Sequence, residues 1–95
     1  MDTTVHYFSL KVSSDQYKYS VSFYCYPWLR HIVRGDNDCH VKEASVIYHS
    51  RISVPGNNLY FAPFIIQSLS EKEANDCMNH LQNYLDEVSL DWHLW

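Results

Sequence analysis

Three cysteines and six histidines are the residues of this 95-residue chain that could hold a metal or serve as nucleophile and base. Their spacing argues against both uses. Cys25, Cys39 and Cys77 stand far apart, and the chain has no C-x-x-C and no H-E-x-x-H. The nearest approaches to a ligand set are Cys77-x-x-His80 and the adjacent pair Cys39-His40. A tetrahedral zinc site needs four converging ligands. Cys77 also falls within an apolar stripe, where a free cysteine behaves as a small hydrophobe. Nothing places a cysteine at an exposed helix start or beside a glycine elbow. Asp36 and Asp38 form a carboxylate pair, but in a turn, Gly35-Asp36-Asn37-Asp38, which Asp favours for backbone reasons. With only Gly35 and Gly56 available, no phosphate-cradling loop of the usual form can be built. The expectation is a chain without catalytic residues, metal or cofactor; a Cys/His-dependent enzyme ranks last among the readings.

The remaining candidates recognise rather than react. Tyr24, Tyr26 and Trp28 lie close to Arg30 and Arg34. Large rings with Arg are the composition of binding hot spots. The same set could stack bases and hold phosphates, so a small single-stranded nucleic-acid-binding domain is the alternative. Charge disfavours it, because the chain has seven Lys or Arg against eleven acids, for a net of −4. The imbalance is local. Residues 1–70 carry six Lys or Arg against five acids, and residues 71–95 carry one Lys against six acids. Asp76, Asp86 and Glu87 on that acidic segment suit a partner with a basic groove. Trp92 and Trp95, with Leu90 and Leu94, end the chain. A disordered tail rarely has that content, so these residues are expected to fold back over the sheet edge or to meet a partner.

One long helix must organise these groups. Ser70 and Glu73 are spaced as a capping box, with Leu69 and Ala74 at the staple positions. Ala74, Cys77, Met78, Leu81, Leu85 and Val88 then recur at three- and four-residue steps, with Tyr84 beside them. The helix is expected from Ser70 or Glu71 to about Asp86–Ser89, and its stripe needs a partner surface. Upstream the chain reads as strand and turn. Residues 4–12 and 17–26 alternate and are expected to pair as a hairpin through the turn Ser13-Ser14-Asp15-Gln16. In the second segment Tyr17, Tyr19, Val21, Phe23 and Cys25 form the inward set. Tyr24 and Tyr26 point outward, and Tyr7 is expected on their face. Residues 28–34 fit either a short helical turn or an irregular edge strand. Residues 39–54 read as strand, perturbed near Lys42-Glu43, and Leu59–Phe61 begin a last strand that Pro63 breaks or confines to an edge.

The expected architecture is a single α+β domain over residues 1–95: two layers, a four-stranded antiparallel sheet and a C-terminal helix on one face. An odd cysteine count, no secretory leader and no apolar run of transmembrane length point to a cytoplasmic, reducing setting without a membrane partner. The function that fits is protein binding, by occupying a surface of a larger protein or complex. The aromatic face could equally be a homodimer seam in a structural protein. In size and composition the chain resembles small proteins that block larger ones, such as phage-encoded inhibitors of bacterial defence systems and small immunity proteins. That likeness implies a viral, anti-defence inhibitor and carries over no functional residue.

Overall fold

The Ser70 cap forms as its spacing predicts. In the computed structural model, which describes residues 5–7, 16–56 and 61–93, the Glu73 backbone N–H donates to the Ser70 hydroxyl at 3.2 Å. The helix it starts, α3, spans Glu71–His93. It runs past the expected end, so Leu90 and Trp92 continue it instead of folding back. Ala74, Cys77, Leu81 and Leu85 are its buried stripe, Met78 is half-buried and Tyr84 is exposed. The side chain of Val88 lies outside the described residues.

The chain is α+β, with an antiparallel sheet and this C-terminal helix. β2 (Tyr19–Phe23), β3 (Ser50–Val54) and β4 (Phe64–Ser68) form the body of the sheet, with β4 in the middle. β1 (Val5–Tyr7) runs antiparallel along the outer side of β3, with Tyr7 opposite Ile52. The expected hairpin between the first two segments is therefore corrected: β1 and β2 lie on opposite edges. A register is fixed by the face that must be buried, and the partner of β2 on that face is β4. Phe23 stands opposite Phe64 and Val21 opposite Ile66. The two phenyl rings stack at 5.1 Å, 10° from parallel.

Between β2 and β3 lie two short helices. α1 (Arg30–Arg34) settles the ambiguity of residues 28–34 in favour of helix. α2 (Cys39–Ile47) corrects the strand expected there, which is confined to β3. Helix replaces strand here because the buried residues are Val41, Ala44 and Ser45, at helical spacing, while Val46 and Ile47 face outward. The corner between the helices is sharp. Gly35 has φ +76°, and a Cβ there would stand 2.8 Å from the Cβ of His40. Asn37 and Asp38 are left-handed as well, which those side chains tolerate. β4 begins at Phe64, after Pro63, so the chain is broken at that proline, and Phe61 stands in a turn and not in the strand expected there. Residues 59 and 60 lie outside the described residues, as do most of 4–12.

All these elements share one core. Val33 of α1, Val41 and Ala44 of α2, and Cys77, Leu81 and Leu85 of α3 close on Phe23, Ile52, Val54, Phe64 and Ile66 of the sheet. Full burial of each such aliphatic or aromatic side chain contributes about 1.5–3 kcal/mol. Tyr7 belongs to this side too. It packs against the core beside Ile52, which corrects its expected place with Tyr24 and Tyr26.

Candidate binding groove

Beyond Phe23 the alternation of β2 has no partner strand to serve, and the chain turns. Pro27 opens a 3-10 turn, Pro27–Leu29, in which the Leu29 N–H donates to the Tyr26 carbonyl at 2.8 Å. The fixed φ of proline suits the first position of such a turn. The bend brings Tyr26 and Trp28 together. Their rings stack 4.7 Å apart and 6° from parallel. Tyr24, Tyr26 and Trp28 are 70%, 64% and 59% exposed, so the outward placement read from the alternation holds. Phe61, from the segment before β4, is 83% exposed and faces the same hollow.

These rings line a groove of about 800 Å³, with Cys25, Leu29 and Leu85 also in its wall and Asp86 of α3 at its side. Clustered exposed rings of this size are uncommon on a surface with nothing to bind. The Cys25 thiol is a poor nucleophile here: burial pushes its pKa up, and the nearby Arg30 charge offsets this only in part.

Arg30 is not a surface contact. It is 1% exposed, a correction to its expected place among the binding residues. Its Nη1 donates to the Gly56 carbonyl at 2.9 Å and its Nη2 to the Ala62 carbonyl at 3.2 Å. The guanidinium thus joins both ends of the 56–62 segment to the base of α1, and Phe61 is carried on that segment. Arg30 positions the groove. Burying its charge is tolerable because directed carbonyl acceptors replace water.

The other expected site residues divide. Asp86 is in the groove, and Glu87, the next residue of α3, is exposed. Asp76 sits ten residues earlier on α3, roughly 15 Å along the axis, and pairs with Lys72 at 2.8 Å. Arg34 turns away and donates from Nε to Asp38 at 2.6 Å and from Nη2 at 3.1 Å. Tyr7 donates its hydroxyl to the same carboxylate. These bonds, led by that from Arg34, hold the Asp38 pKa below the ordinary carboxylate value. The side chain of Trp92 and the whole of Trp95 lie outside the described residues. Phe61, Leu29 and Leu85 join the site without having been expected there. Phe61 carried a signal, since a ring between a turn and Pro63 has no strand alternation to bury it.

His31, His40 and Cys39 gather elsewhere. A second hollow of about 360 Å³ lies where α1, α2 and α3 meet, lined by His31, Cys39, His40 and Tyr84 among others. Cys with His is a residue set for nucleophilic catalysis. Here His40 donates Nδ1–H to the Val33 carbonyl at 2.9 Å, and its ring lies 4.0 Å from that of Tyr84. His80 Nδ1 meets the Tyr48 hydroxyl at 3.2 Å. Among the described residues no group of three or more His, Cys, Asp or Glu is arranged to hold a metal ion. Cys77 is sealed in the core, where burial pushes its thiol up to about 12. Among the described residues no helix is long and apolar enough to cross a membrane.

Comparison with protein-family profiles, with curated proteins and with solved structures finds no significant match to this chain.

Proposed function

We propose that this protein is a non-catalytic binding module that docks on a larger protein through the aromatic groove. The observation that carries the reading is the exposure of four large rings, Tyr24, Tyr26, Trp28 and Phe61, around one groove. Rings bury much area for little rotamer entropy, and they are enriched where binding energy concentrates. The groove is built on rigid parts, namely the end of β2, a proline-led turn and the side of α3. Its action is then occupancy: it covers a surface of its partner stoichiometrically, as small phage-encoded inhibitors of defence systems do. Nucleic acid is the weaker reading, because Arg30 is buried on carbonyls and Arg34 is paired with Asp38.

The test uses the full chain as bait in an extract of its source cell, in parallel with Tyr26→Ala, read by mass spectrometry. A protein retained by the wild type and lost with the variant, at equal thermal midpoints, supports the reading. Capture that is indifferent to Tyr26 overturns it.

A further inference from the structure

Among the described residues, the groove has one carboxylate and no cation in its wall. Asp86 is exposed and forms no ion pair among the described residues, whereas Asp38 and Asp76 are each paired with a basic residue four positions away. Nor does its helix supply a partner: no Lys or Arg follows Lys72 in the sequence. Arg30, the basic residue nearest the groove's base, directs Nη1 and Nη2 to the Gly56 and Ala62 carbonyls. The faces of the rings beside Asp86 carry negative quadrupole potential, so rings and carboxylate attract the same sign of charge.

Resting on the docking reading above, we infer that the groove accepts an arginine side chain of the partner protein. A cation over a ring face within about 6 Å of its centroid is attracted, the more so when water is excluded. The Tyr26–Trp28 stack leaves each ring one face that its neighbour does not cover. A planar guanidinium can add a further layer to such a stack while its fork of N–H donors reaches the Asp86 carboxylate. Lysine offers a compact, more strongly hydrated charge that cannot stack. A purely apolar side chain would strip water from Asp86 and give nothing back. An anion would meet repulsion from the ring faces and from Asp86 alike.

The experiment titrates the full chain with capped hexa-arginine, hexa-lysine and hexa-citrulline, following the Trp28 indole N–H by NMR and affinity by calorimetry. Citrulline keeps the planar shape and removes the charge. The expected result is that hexa-arginine binds and shifts the Trp28 signal, hexa-lysine binds at least fivefold more weakly, and hexa-citrulline at least tenfold more weakly. Asp86→Asn should weaken hexa-arginine binding at least tenfold, and Asp76→Asn less than twofold, with thermal midpoints checking that both variants are folded. Equal affinity for hexa-citrulline, equal affinity for hexa-lysine, or equal loss from the two Asp variants overturns the inference. A natural partner that is lost with Tyr26→Ala but retained with Asp86→Asn also overturns it, while leaving aromatic docking in place. A partner indifferent to Tyr26 overturns the docking reading itself.

Discussion

Two hollows of this protein are walled by different residues. The one where α1, α2 and α3 meet gathers His31, Cys39 and His40 beside Ile32 and Tyr84, and His40 is fixed there on the Val33 carbonyl. The groove at the end of β2 is more than twice as large, at about 800 against about 360 Å³, and is walled by exposed rings and one unpaired carboxylate. Chemistry-bearing residue types gather in the first, yet His40 directs its Nδ1 to a backbone carbonyl of the fold. Inert rings gather in the second, and much of their surface faces water. Which groups the fold satisfies is a better guide to use than which groups are reactive, because a satisfied polar group has little left to offer a ligand.

The largest effect is expected in the core, one residue before the groove's first ring. Phe23→Ala should cost about 3–5 kcal/mol, since its ring is 6% exposed and stacked on Phe64. Chemical denaturation measures this, and a loss below about 1 kcal/mol would place Phe23 off the core. Arg30→Met keeps the bulk and removes two charged donors from the Gly56 and Ala62 carbonyls. A loss of roughly 2–4 kcal/mol is expected, with weaker partner binding as the Phe61 wall loosens. Unchanged stability would show that the guanidinium does not hold that segment.

Tyr26→Ala sharpens the comparison from the other side. Binding should fall by about 2 kcal/mol or more, while stability moves by no more than about 0.5 kcal/mol because the ring is largely exposed. Unfolding of this variant would make Tyr26 a core residue. Behind the smaller hollow, where His80 stacks on His40, Tyr48→Phe removes the hydroxyl from His80 and should cost about 1 kcal/mol of stability with partner affinity unchanged. A drop in affinity there would mean that the two hollows are not independent.

The smallest effect belongs to the corner between α1 and α2. Asp38 has a lowered pKa, chiefly through its bonds from Arg34. The stabilisation is complete above the unfolded carboxylate value of about 3.9 and is lost as pH falls through the lower folded value. Asp38→Asn should cost less than about 1 kcal/mol at neutral pH and flatten the acid limb of the stability curve. An acid limb identical to that of the wild type would mean that other carboxylates govern it.

The sequence alone determined the elements whose signals are local. Ser70 and Glu73 started α3, its three- and four-residue spacing picked out Ala74, Cys77, Leu81 and Leu85, and the period of β2 put Tyr24 and Tyr26 outside. Each of these depends on neighbours within a few residues. Only the tertiary structure decided what depends on distant ones. Residues 39–47 alternate enough to pass for strand, but Val41 and Ala44 find a core only as helix. β2 pairs with β4 and not with β1 because Phe64 and Ile66 complete its buried face across a long stretch of chain. Arg30 has the composition of a surface hot spot, and it became an internal tie because two carbonyls from the 56–62 segment fold against it. Charge and ring content can be read along a chain. Which of those groups end up satisfied by the fold, and which face water, is set by contacts between residues far apart in it.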